Sequence, residues 1–157
     1  MNNTPLRQAL SESLDDVLEK MFFVRSLGEP QDQGGEPAVT AHLSFEGDPP
    51  GWLTLRVATA AARSVAADFL GEEESELSEQ QIGEVVCELA NMICGSVLSR
   101  VESNKTFRLG TPQLLASGIA VIPRTATTHA AEIGSGALAV IFNTETPACS
   151  TAEKYES

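Results

Sequence analysis

Basic residues are scarce: 10 Lys and Arg stand against 22 Asp and Glu, leaving a formal net charge of −12 and a pI near 4.4. That deficit excludes a sequence-independent grip on nucleic acid, which needs clustered Lys and Arg to displace counterions. It equally disfavours binding to an anionic membrane surface. No uninterrupted apolar run approaches the roughly 18 residues that a bilayer span needs. The N-terminus lacks a basic region followed by an apolar core, so no signal peptide is expected. Histidine is rarer still, with His42 and His129 the only two and far apart. With so few, no Ser/His/Asp or Cys/His arrangement and no clustered metal-ligand set can be drawn from the chain. The three cysteines, an odd number, suit a reducing compartment, and the cytoplasm is the expected location. Cys87 and Cys94 lie about 10 Å apart along one predicted helix, too far for a mutual disulfide, and read as small core residues.

What is present fits a soluble globular chain of 157 residues, with 42% hydrophobic content and a mean hydropathy of −0.04. That length is enough for one domain with a real core. It is expected over residues 1–145, with 146–157 as a flexible acidic tail. Thr4 and Pro5 open a first helix as N-cap and N1, with Leu6, Leu10, Leu14, Val17, Leu18 and Met21 facing the core. Its end is expected near Val24 to Leu27, before Gly28 and a Gly- and Pro-rich loop to Pro37. From Ala38 the period changes to two: Val39, Ala41, Leu43 and Phe45 alternate with polar neighbours, and His42 falls on the polar side. A turn at Gly47–Gly51 leads to a second strand, Trp52 to Val57, making a hairpin. Thr59 is placed as the cap of a short helix, Ala60 to Leu70, that Gly71 stops. Glu72 to Glu74 reads as a solvated linker. Late in the chain, Phe107 to Leu109 and Ile119 to Ile122 read as extended pieces. Thr125–Ile133 and Ala137–Asn143 read as a hairpin across Gly134-Ser135-Gly136. Helices packed on one mostly antiparallel sheet make an α+β fold.

The chain is organised around Ser78 to Glu102, which reads as one long amphipathic helix opened by a Ser78/Gln81 capping box. Ile82, Val85, Val86, Leu89, Ile93 and Val97 share an arc of about 120°. Glu84, Glu88, Asn91, Gly95 and Ser99 fall with Gln81 and Glu102 on an opposite stripe about 80° wide that holds no Lys or Arg. The plain reading is the solvated face of a core helix. Against it, such faces usually mix Lys with Glu at i,i+4 spacing, and this one has no base. Gly95 also interrupts the helix at a cost of about 1 kcal/mol relative to Ala. A missing side chain beside Glu88 and Asn91 leaves room for another backbone, so the stripe reads as a docking face.

GEVVCELANMICGSV resembles the signature helix of the CheX/CheC/FliY chemotaxis phosphatases, whose core is E-x-x-N followed by an apolar and a small residue. Here that pair is Glu88 and Asn91. The family's proline corresponds to Pro112 in FRLGTPQLLASG, at slightly shorter spacing than is commonest. Only one full E-x-x-N stands in the chain, and SLDDVLEKMFF lacks the Asn, so the resemblance is to the single-site CheX-like branch. It implies an α+β fold pairing as a homodimer through sheet edges, and a phosphatase acting on the aspartyl phosphate of a CheY-like receiver domain. It further implies that Asn91 positions the attacking water and Glu88 pairs with the receiver lysine. Glu84, Gly95, Ser99 and Pro112 would then serve partner docking, with no metal or cofactor of the chain's own and a divalent metal in the receiver site. The alternative is a non-catalytic module that holds a receiver with the same helix. A hydrolase of small molecules has little support, and a polar strand position accounts for His129.

Overall fold

The structure is a computed structural model that describes residues 4–21, 37–47, 50–101, 106–115 and 125–144. The expected end of the first helix, the extended piece at 119–122 and the tail at 146–157 lie outside these residues.

Helix α1 (Thr4–Met21) precedes strands β1 (Ala38–Glu46) and β2 (Gly51–Ala58), helix α2 (Thr59–Leu70) and a 3-10 turn (Glu74–Glu76). Helix α3 (Glu79–Val101) and strands β3 (Arg108–Leu109), β4 (Gln113–Leu114), β5 (Thr127–Glu132) and β6 (Ala137–Thr144) follow. The sheet runs β3-β1-β2-β6-β5, with β4 also on β1, and its pairings are antiparallel. The fold is therefore α+β, as the pattern implies.

Alternation sets the register. Ala41, Leu43 and Phe45 of β1 stand opposite Leu55, Leu53 and Gly51 of β2, and β2 in turn sets Leu55 against Val140 and Leu53 against Phe142. Directly paired residues share a face, so these side chains form one buried floor. Phe45 stacks on Phe142 at 5.6 Å and meets Phe107 edge-on at 5.8 Å, between ring centroids. A side chain at Gly51 would strike the Asn143 carbonyl oxygen at 2.2 Å, which is why the strand opens on glycine.

The helices cover this floor. Leu10, Leu14 and Leu18 of α1 and Ile82, Leu89, Ile93 and Val97 of α3 are buried. The Ser96 hydroxyl donates to the fully buried Ser13 at 2.9 Å, joining α3 to α1. Arg100 adds ion pairs to Glu12 at 3.2 Å and to Asp16. By length and composition α3 could cross a bilayer, but its apolar face is spent on the core, and it is a core helix by position.

The readings at Thr4, Thr59 and His129 need correction, Thr4 being already the first residue of α1 rather than its cap. Thr59 does not cap α2: it is the first helical residue, and Ala58 holds the cap position with no side-chain bond. The linker at Glu72 to Glu74 runs into one 3-10 turn, though its carboxylates are exposed as expected. His129 pairs with Val140 and so lies on the helix-facing side of β5, half-buried near Asp15 of α1. Burial raises the Asp15 pKa, against which the nearby His129 charge acts. His42 does lie on the outer face, but half-buried, with Nδ1 2.8 Å from Thr54 Oγ1 and its ring 5.5 Å from that of Trp52. Gly71 stops α2 in the left-handed conformation, at φ 69°, its N–H donating to the Ala67 carbonyl.

Candidate functional site

Helix α3 begins as its sequence dictates. The Gln81 N–H donates to Ser78 Oγ at 3.1 Å, and the Ser78 N–H donates to Gln81 Oε1 at 2.9 Å. Two orphan donors are thereby satisfied and the helix phase is fixed. With Leu89, Ile93 and Val97 locked into the core, Glu84 and Glu88 must face outwards, and both are exposed. Asn91, one turn on, is half-buried.

Glu84, Glu88, Asn91 and Pro112 line one groove of about 350 Å³ together with Gln80, Gly83, Cys87, Thr111 and Leu114. Four of the six residues singled out from sequence are thus brought together. Gly95 and Ser99 are not; they continue the stripe one and two turns past Asn91. A Cβ placed on Gly95 would meet nothing within 4 Å, so the space beside it is open. Among the described residues the side chains of Glu88 and Asn91 have no hydrogen-bond or ion-pair partner, and both are free to serve a second molecule. Glu84 accepts one bond, from Gln80 Nε2 at 3.1 Å.

Several groove residues carry no signal in the sequence pattern. Gly83 falls on the apolar arc of α3, yet a Cβ there would lie 2.6 Å from Leu114 Cδ1; its missing side chain lets Leu114 lie across the helix. Leu114 belongs to a two-residue strand whose place is set by pairing with Ala41, which no local pattern announces. Cys87 lines the groove half-buried, and burial followed by the Glu84 charge pushes its thiol pKa up. Cys94 is fully buried and pushed up to about 12 by burial. Neither is an activated thiolate. Among the described residues no three His, Cys, Asp or Glu side chains come together as a metal site.

This architecture recurs in solved structures. CheX from Vibrio vulnificus superposes with a TM-score of 0.75 at 18% identity, over 92% of this chain and 99% of that one. CheX from Desulfovibrio desulfuricans gives 0.72 at 18% identity, over 89% and 99%. CheX in a CheX–CheY–BeF3–Mg²⁺ complex from Borrelia burgdorferi gives 0.64 at 15% identity, over 88% and 96%. At such identities the likeness is one of fold. No curated protein sequence matches the chain significantly. The family model for the chemotaxis phosphatase CheX matches residues 39–133, most of the chain. The protein belongs to the CheX family of chemotaxis phosphatases.

Proposed function

We propose that the protein hydrolyses the aspartyl phosphate of a CheY-like receiver domain docked on the exposed stripe of α3. The observation that carries this is the unengaged pair Glu88 and Asn91, one turn apart on the rim of an open groove. Family membership and the capture of CheY by the Borrelia relative support the same reading.

Hydrolysis of an acyl phosphate needs a water held in line with phosphorus, opposite the leaving carboxylate oxygen. A carboxamide suits this role, because the Asn91 carbonyl oxygen accepts from the water and its N–H donates, with no charge added near the phosphoryl group. Glu88 offers a carboxylate to the receiver's lysine and sets the angle of approach. Glu84, Gly95, Ser99 and Pro112 form the surface against which the receiver settles. The divalent metal belongs to the receiver and is not held by this chain. A reducing cytoplasm, and pairing of two copies through sheet edges, belong to the same reading.

Phosphate loss from a phosphorylated receiver tests it directly. Asn91→Ala is expected to lower the catalysed rate about 100-fold, the scale on which misplacing a reactant costs rate. Glu88→Ala is expected to raise KM through loss of a desolvated charge pair. Equal rates for wild type and Asn91→Ala would remove Asn91 from the chemistry. Stable receiver binding with an unchanged phosphate lifetime would favour a non-catalytic binding module.

A further inference from the structure

Among the described residues, two large hydrophobic side chains are exposed: Leu70 at 38% and Leu114 at 50%. Single exposed leucines are ordinary on a protein surface, but the placement of these two is not scattered. Leu114 lines the groove on one side of α3. Leu70, with Phe69, lines a second groove of about 290 Å³ on the other side. The two grooves share Glu84 and Glu88, so these carboxylates form a ridge with an apolar hollow on each flank. Each leucine has its own support. Leu70 closes α2 just before the left-handed Gly71, while Leu114 rests over Gly83, where any side chain would displace it.

The geometry points to Leu70 and Leu114 as paired apolar anchors that seat a receiver domain astride the acidic ridge and select which receiver is accepted. This rests on the function proposed above and goes beyond it by naming the residues that choose the partner. The occupant is fixed by charge and span. Neither Glu84 nor Glu88 has an ion-pair partner among the described residues, so the matching surface carries a basic side chain between two apolar ones. A helix with its side chains is roughly 10 Å across, so one small domain can reach both leucines. Apolar side chains buried centrally beside a paired charge are the usual make-up of an interface hot spot.

Binding is measured for a panel of receivers in the beryllofluoride–Mg²⁺ state, with wild type, L70S, L114S, the double variant and the conservative L70M and L114M. Thermal unfolding of every variant confirms that it is folded. Burial of the remaining exposed leucine surface is worth about fourfold to fivefold in Kd each, and about twentyfold together. The serine variants are expected to lose that much affinity and the methionine variants to recover most of it. Receivers with a polar side chain in place of an apolar one beside the basic group are expected to discriminate least between wild type and the serine variants. Unchanged Kd in the folded double variant overturns the proposal even where phosphate release proceeds normally. So does failure of wild type to bind any receiver, or dissociation of a homodimer by the serine variants in analytical ultracentrifugation. Leucine-dependent binding without phosphate release upholds these anchors and removes the hydrolase reading alone.

Discussion

Replacing Gly95 by alanine separates the needs of the fold from those of docking. A Cβ at this position meets nothing within 4 Å, so the substitution introduces no clash within the chain. Glycine inside a helix is about 1 kcal/mol less favourable than alanine, because its backbone loses more freedom on ordering. Gly95→Ala is therefore expected to stabilise the protein by about 1 kcal/mol and raise Tm by about 2–4 °C, the shift usual for a domain of this size. Function should move the other way. If the receiver's backbone lies against the bare helix at Gly95, a methyl group holds it off by about 1 Å, a displacement worth up to about 100-fold in rate. Thermal unfolding and the steady-state rate of receiver dephosphorylation supply the two readouts, with Gly95→Leu as a bulkier companion. A kcat/KM within twofold of wild type in both variants would refute close approach at this point. A drop in Tm for Gly95→Ala would refute the open space itself.

Ser78→Ala removes an acceptor for the Gln81 N–H and loosens the return bond from Gln81; it is expected to cost about 1 kcal/mol, visible as a lower denaturant midpoint with an unchanged slope. His42 supplies a pH dependence with a definite sign. Burial lowers its pKa below the ordinary 6.5, so the unfolded chain binds the proton more readily than the folded one. The stability this leaves is present above pH 6.5 and is lost as pH falls through 6.5 toward the folded value. Comparing Tm at pH 7.5 and 5.5, wild type should lose more than His42→Gln; equal losses would assign the slope to other groups.

Local signals are legible in the sequence and non-local ones are not. The Ser78/Gln81 box needs only residues three apart, and it forms as expected. Alternation of Ala41, Leu43 and Phe45 needs only a strand with one wet face, and it places β1 correctly. Thr59 misleads because a capping residue type carries no information on whether its backbone has already turned helical. His129 misleads because a histidine on an edge strand next to α1 is tolerated on the inner face, half-buried. The groove's second wall lies out of reach of any local pattern, since Gln113 and Leu114 owe their place to His42 and Ala41, some seventy residues earlier. Glu88 and Asn91 are legible as a pair because helix periodicity alone puts them on one side; that Pro112 faces them across a groove is not.

Among the described residues, three arginines are turned elsewhere: Arg63 to Glu79, Arg100 to Glu12 and Asp16, Arg108 to Glu46. None of these three shields the exposed carboxylates at positions 84 and 88, whose field runs outwards into solvent. A cationic patch on an approaching molecule is therefore pulled in and oriented before contact, and the rate of encounter should slacken as ionic strength rises and the screening length shrinks from about 30 Å at 0.01 M to about 8 Å at 0.15 M. The pairing of those three arginines with other carboxylates leaves that line of approach open.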